Sequence, residues 1–113
     1  KLVYCVQGRI LDVAVDVRKN SPTFGQSFAV ELTEENRWQL FVPKGFLHGY
    51  SVLSETALVG YKCDDFYKKE SECGIHPLDK TVNIDWRITA EQQLISEKDL
   101  NAISFLELPE IIL

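Results

Sequence analysis

The sequence predicts an all-β sandwich or barrel, on three observations. Residues 1–100 divide into short strand-like runs, separated at close spacing by Gly, Pro, Asn and Ser turn chemistry. One of these runs alternates strictly between two faces, the period of a strand. No internal repeat or low-complexity tract interrupts the series.

Leu2–Gln7 and Arg9–Val17 flank Gly8. In the second run Ile10, Asp12, Ala14 and Asp16 share one face, and Leu11, Val13, Val15 and Val17 share the other. That pattern reads as a half-buried strand with Asp12 on its polar face. Asn20–Gly25 is a turn, Phe28–Leu32 a strand and Thr33–Asn36 a polar turn. Gln39–Val42 is a strand that Pro43-Lys44-Gly45 breaks. Ser51–Leu53 and Thr56–Lys62 read as a hairpin around Ser54-Glu55. Asp64–Pro77 is a long polar segment, and Thr81–Trp86 reads as one more strand. Thr89 and Gln92 then resemble a capping box, which predicts a short helical turn near Ala90–Leu94. The apolar tail Leu106–Leu113 receives no assignment.

Six or seven strands are few for closing a jelly roll. The chain also opens on Lys1 and enters a strand at once. The expectation is that further strands precede it.

A chain of 113 residues, 45% of them hydrophobic, can build the core of one domain spanning 1–113. No apolar run approaches the length that spans a bilayer, so no membrane partner is expected. The net charge of −5 argues against a broad nucleic-acid footprint. An anionic nucleotide can still bind where a few Lys or Arg side chains converge. Three cysteines, Cys5, Cys63 and Cys73, make an odd count without a C-x-x-C, so no disulfide framework is indicated. No signal-peptide pattern is visible in these residues, and a reduced, cytoplasmic compartment fits best.

Pro43-Lys44-Gly45-Phe46-Leu47-His48 resembles the P-x-G-x-x-H element of the second cupin motif. Its physical content is a tight turn that delivers an imidazole to a barrel mouth. On its own it is equally a turn followed by a core-facing histidine. The only other histidine is His76, and two histidines cannot make the usual metal-cupin site, so no metal is expected.

Longer blocks carry a more specific resemblance. Lys1-Leu2-Val3, Gly8–Arg18 and Ser21-Pro22-Thr23-Phe24-Gly25 resemble the K-L-V…G-x-i-x-D-V-x-V-D-x-R…S-P-T-F-G block of the dTDP-4-dehydrorhamnose 3,5-epimerase family. Gln39–Tyr50 is similar to its Q-L-f-v-P-x-G-f-a-H-G-f block. Tyr61–Tyr67 with Glu72, Gly74 and Ile75, then Ile84-Asp85-Trp86 and Ser96–Asp99, resemble further elements in the family's order.

The resemblance implies a cupin-type jelly roll with a short C-terminal helical segment. It implies a homodimer and a dTDP-linked 4-keto-6-deoxy sugar as substrate. The C4 ketone acidifies the protons on C3 and C5. A base removes each, an enolate forms, and an acid returns a proton to the opposite face, without cofactor or metal. The family's base histidine lies in an R-G-L-H-[FY]-Q element that residues 1–113 do not contain.

The other roles carry over residue by residue. Tyr61 resembles the proton donor; an ordinary phenol, with a pKa of about 10, stays protonated at neutral pH. Asp99 matches the carboxylate that pairs with the base histidine, where burial would fix the imidazole tautomer. Asp12 is expected near that same histidine. Lys1 matches a cation facing the sugar O4, where enolate charge develops. His48, Glu72 and Lys98 resemble substrate contacts, His48 and Lys98 toward the diphosphate or sugar. Tyr67 resembles the aromatic that stacks on thymine. As bare residues these are a rim tyrosine, surface carboxylates, solvated lysines and loop packing.

Two other readings stay open. One is a non-catalytic cupin remnant or sugar-nucleotide-binding module. The other is an isomerase acting at C3 alone or on another nucleotide sugar, suggested by a loop in which His76–Lys80 keeps only Asp79 of the family's pattern.

Overall fold

The computed structural model describes residues 1–63 and 74–108, the side chain of Ala90 aside. Six strands are present there: β1 (Leu2–Gln7), β2 (Arg9–Asp16), β3 (Ser27–Thr33), β4 (Gln39–Phe41), β5 (Phe46–Val52) and β6 (Leu58–Lys62). They pair antiparallel into two three-stranded sheets, β4-β1-β6 and β3-β2-β5. The first two strands are thus the centres of the two sheets. Gly8 makes the step between them at φ +81°, where a Cβ would lie 2.6 Å from Ser54 Oγ and against the Thr56 carbonyl.

The predicted hairpin between Ser51–Leu53 and Thr56–Lys62 does not form. β5 starts earlier, at Phe46, and pairs with β2, whereas β6 pairs with β1 in the other sheet. The intervening segment crosses between sheets. Ser54 pins that crossing, because its Oγ accepts the Arg9 N–H at 2.9 Å and donates to the Thr56 carbonyl at 2.6 Å.

Thr81–Trp86 is not a strand either. Asp79 Oδ1 takes the amides of Thr81 and Val82 at 2.9 and 3.1 Å, and Asn83 turns left-handed at φ 52°. No ladder can run through such a segment.

The expected helical turn is a 3₁₀ turn, Ala90–Gln92, stopping short of Leu94. Of the expected capping box one arm is made, Thr89 N–H to Gln92 Oε1 at 3.4 Å, while the Gln92 N–H goes to the Thr89 backbone carbonyl at 3.0 Å rather than to its hydroxyl. A four-residue helix, α1 (Glu97–Leu100), follows behind a Ser96 cap, and a second 3₁₀ turn, Phe105–Glu107, follows that.

The core has two parts. Val3, Cys5, Ile10, Ala14, Leu32 and Val42 fill the space between the sheets. Leu11, Val13, Val15 and Val17 pack on the other side against Phe105 and Leu108, with Ile84 and Trp86 beside them. β2 is therefore buried on both faces, not half-buried as its alternation predicts. The reason lies far along the chain. The C-terminal segment folds back over the outer face of β2, where each fully buried Leu or Val contributes about 1.5–3 kcal/mol. Asp79 ties that segment down, since its Oδ2 accepts the Phe105 N–H at 2.8 Å. That bond, with those from Val82 and Thr81, holds the Asp79 carboxyl below its ordinary pKa against the opposing effect of burial.

Candidate functional site

Turning both faces of β2 inward changes the meaning of its carboxylates. Asp12 and Asp16 are 0% and 1% exposed. They point between the sheets, among residues of the inner core.

β5 supplies the partner for Asp12. The register sets Ala14 opposite His48 and Asp12 opposite Tyr50, so His48 sits diagonally from Asp12 on the same face. His48 Nε2 and Asp12 Oδ1 form a hydrogen-bonded pair. Asp12 Oδ2 is buried with no hydrogen-bond partner among the described residues. Burying a carboxylate is costly unless it is paired and hydrogen-bonded, and the imidazole supplies that pairing. The pair also orients the ring: Nε2 is committed to Asp12, and Nδ1 is the nitrogen left to meet another group. Asp12 thus pairs with a histidine of this chain.

The opposite sheet contributes Lys1 and Tyr61. Tyr61 pairs with Val3, a core residue, so both face the inter-sheet space. Lys1 Nζ lies 5.2 Å from the Tyr61 ring centroid. Lys1 is not frayed, since Val42 donates its N–H to the Lys1 carbonyl at 2.7 Å. Tyr61 is nevertheless 62% exposed, which places it at the mouth of the gap.

Lys98 and Asp99 lie on α1, none of whose residues is buried. Asp99 is exposed, in contrast to the buried carboxylate expected at this position, because α1 rides on the rim of the fold. Both residues border a cleft of about 1360 Å³ that runs along β5, with Val13, Leu47 and Trp86 in its floor. His48 borders that cleft as well. The structure thus brings Asp12 to His48, and Lys1 to Tyr61. His48 shares a cleft with Lys98 and Asp99, of which Lys1 and Tyr61 are not lining residues. Tyr67 and Glu72 lie outside the described residues. Among the described residues no group of three or more His, Cys, Asp or Glu side chains could hold a metal ion. No helix there is long and apolar enough to cross a membrane.

Two features escaped the sequence reading. Tyr50 stands on the same face as His48, with ring centroids 6.3 Å apart; its parity, two residues on, is the signal that could have found it. The other is a lock in the turn after β2. Asp16 receives Arg18 Nε and Nη2 at 3.0 Å each and Ser21 Oγ at 2.6 Å, with Thr23 Oγ1 also bonded. Arg18 in turn stacks 4.8 Å from the Phe46 ring centroid. The Arg18 guanidinium, helped by the two hydroxyls, holds the Asp16 carboxyl well below the usual carboxylate range despite its burial. The Asp-x-Arg…Ser-x-Thr spacing is therefore a structural corner.

Two antiparallel sheets with a histidine–carboxylate pair and a lysine–tyrosine pair facing the gap define a cupin-type jelly roll whose polar groups gather at its mouth. Comparison with known proteins gives the family. The family model for dTDP-4-dehydrorhamnose 3,5-epimerase matches residues 1–107, and the chain belongs to that family. A curated relative from Shigella flexneri, named dTDP-4-dehydrorhamnose 3,5-epimerase, is 49% identical over 107 residues, 95% of this chain and 58% of its own length. The solved structure of the enzyme of that name from Elizabethkingia anophelis superposes with a TM-score of 0.92 at 52% identity, covering 94% of this chain and 58% of that one. A dTDP-6-deoxy-D-glucose-3,5-epimerase from Legionella pneumophila, solved in complex with dTDP-4-keto-L-rhamnose, gives a TM-score of 0.91 at 45% identity, covering 99% and 62%. The 113 residues thus span a little over half the length of the relatives they match.

Proposed function

We propose that this chain carries the proton-donating and substrate-holding part of a cofactor-independent epimerase. It acts at C3 and C5 of a dTDP-linked 4-keto-6-deoxyhexose, in dTDP-rhamnose biosynthesis. The observation that carries the proposal is the Lys1–Tyr61 pair, a cation and a phenol side by side at the mouth of the inter-sheet gap. Enolate chemistry next to a ketone needs those two groups together, one to balance developing charge on O4 and one to return a proton to carbon.

In this reading Tyr61 protonates the enolate and Lys1 faces O4. His48, oriented by Asp12, and Lys98 hold the diphosphate or sugar. Asp99, on the rim, orients a base histidine of the R-G-L-H type carried outside residues 1–113. Tyr67 stacks on thymine and Glu72 contacts substrate. The chain works as one domain over residues 1–113, in the cytoplasm, and as a homodimer.

Deuterium exchange tests this. The protein is incubated with dTDP-4-keto-6-deoxyglucose in D₂O, and C3 and C5 are followed by NMR, for the 113-residue chain and for a version extended upstream through a histidine-bearing segment. Exchange at both carbons in the longer version is the expected result. Exchange at C3 alone would assign the narrower isomerase reading. Silence in both versions, with dTDP still bound, would leave a binding module.

A further inference from the structure

We propose that Tyr50 is a specificity-determining residue of the same site, its ring forming the apolar wall on which the 6-deoxyhexose rests beside His48. The inference rests on the sugar-nucleotide reading above and extends it to a residue with no role there.

Tyr50 stands directly opposite Asp12 in the β2–β5 register, so it faces the gap between the sheets as Asp12 does. Its neighbours on that face of β2, Ile10 and Ala14, are core residues at 0% and 6% exposure. Tyr50 instead stays 48% exposed. β5 is an edge strand of its sheet among the described strands, which lets an inward-facing ring reach solvent. The ring is tilted 38° to the His48 imidazole, with centroids 6.3 Å apart. An aromatic face therefore stands beside an imidazole that Asp12 orients.

That combination suits a ligand with one apolar face and a polar edge. A 6-deoxyhexose is such a ligand. Its ring carbons and C6 methyl present C–H groups, and its oxygens lie at the perimeter. The nucleotide's own flat ring, thymine, is assigned to Tyr67 in the reading above, which leaves the sugar for Tyr50. Tyr50 is thus expected to act on the sugar and leave the nucleotide part of affinity alone.

The test is the pair of dissociation constants for dTDP and dTDP-L-rhamnose, measured for the wild-type protein, Tyr50→Ala and Tyr50→Phe, with thermal melts alongside. Loss of the ring is expected to weaken dTDP-L-rhamnose about 10-fold while dTDP stays within about twofold, and Tyr50→Phe should keep the wild-type preference. Should the alanine variant fail to fold, Tyr50→Leu keeps an apolar side chain on the strand without the ring and gives the same reading. Equal weakening of both ligands, or no change in either, overturns the role of Tyr50 while leaving the site in place. Wild-type protein that binds neither ligand overturns the sugar-nucleotide reading itself, and the Tyr50 proposal with it.

Discussion

The two faces of β2 are equally buried but differently built. The outer face is wholly apolar, Leu11, Val13, Val15 and Val17, and is sealed by the C-terminal segment. The inner face alternates apolar and acidic, Ile10, Asp12, Ala14 and Asp16, and both acids find partners in the interior. Burial of the first kind gives stability without direction. Burial of the second kind costs stability and fixes the direction of other side chains, His48 by Asp12 and the turn after β2 by Asp16. In this strand a polar residue within an apolar pattern marks the interior side on which chemistry is placed.

Substitutions can set the two kinds of burial against each other. The largest expected effect is catalytic. Tyr61→Phe should lower turnover by ~10²–10⁴-fold in whichever length of the protein turns over, the usual worth of a positioned acid. Its melting temperature should stay near the wild-type value, since the hydroxyl is at the exposed mouth. Steady-state rates and a thermal melt check both halves.

Next comes the direct contrast between neighbours. Leu11→Ala empties a fully buried outer site and should cost about 2–5 kcal/mol in a urea titration. The folded protein should still bind dTDP as before. Asp12→Asn preserves volume but removes the charge that orients His48. It should cost less stability than Leu11→Ala, yet shift the His48 imidazole resonances and weaken ligand binding. Reversal of that order would mean that Asp12 is a packing residue.

Acid sensitivity follows at smaller scale. Asp16 has a folded pKa below its unfolded one. Its contribution is therefore complete above the unfolded value of about 3.9 and fades as pH falls below it toward the folded value. Asp16→Asn should reduce stability at neutral pH by about 1–3 kcal/mol and flatten the loss of stability below pH ~4. Urea midpoints at neutral and acid pH would show it. The smallest effect belongs to the surface. Arg87 sits 3.8 Å from Glu31 with both side chains partly exposed, and Arg87→Ala should change stability by no more than ~0.5 kcal/mol.

Much of this architecture was legible in the sequence. The boundaries of β1 and the break at Pro43-Lys44-Gly45 follow from period and turn chemistry, and the jelly-roll class is what the family resemblance of the motif blocks implies. Three things were not legible, each because a distant partner decides it. The alternation of β2 shows two faces, but only the C-terminal segment, some ninety residues on, determines that both are covered. A hairpin across Ser54-Glu55 satisfies local rules, yet β5 and β6 have better partners in β2 and β1. The run Thr81–Trp86 has strand composition, but Asp79 takes its first amides. The candidate site divides in the same way. His48 and Tyr61 were found by motif. That His48 belongs to Asp12 depended on strand register, and the Asp16–Arg18 corner required seeing a turn fold back on its own strand.

The central claim is that ligand chemistry belongs to the inner face of β2 and the mouth beside it. The most direct test is a titration of isotope-labelled protein with dTDP-L-rhamnose, followed by the imidazole resonances of His48 and the ring resonances of Tyr61. Both should shift with a common saturation curve, and Asp12→Asn should weaken that curve. Shifts that bypass His48 and Tyr61, for instance at the separate hollow formed by Gln7, Glu34, Glu35 and Arg37, would contradict it.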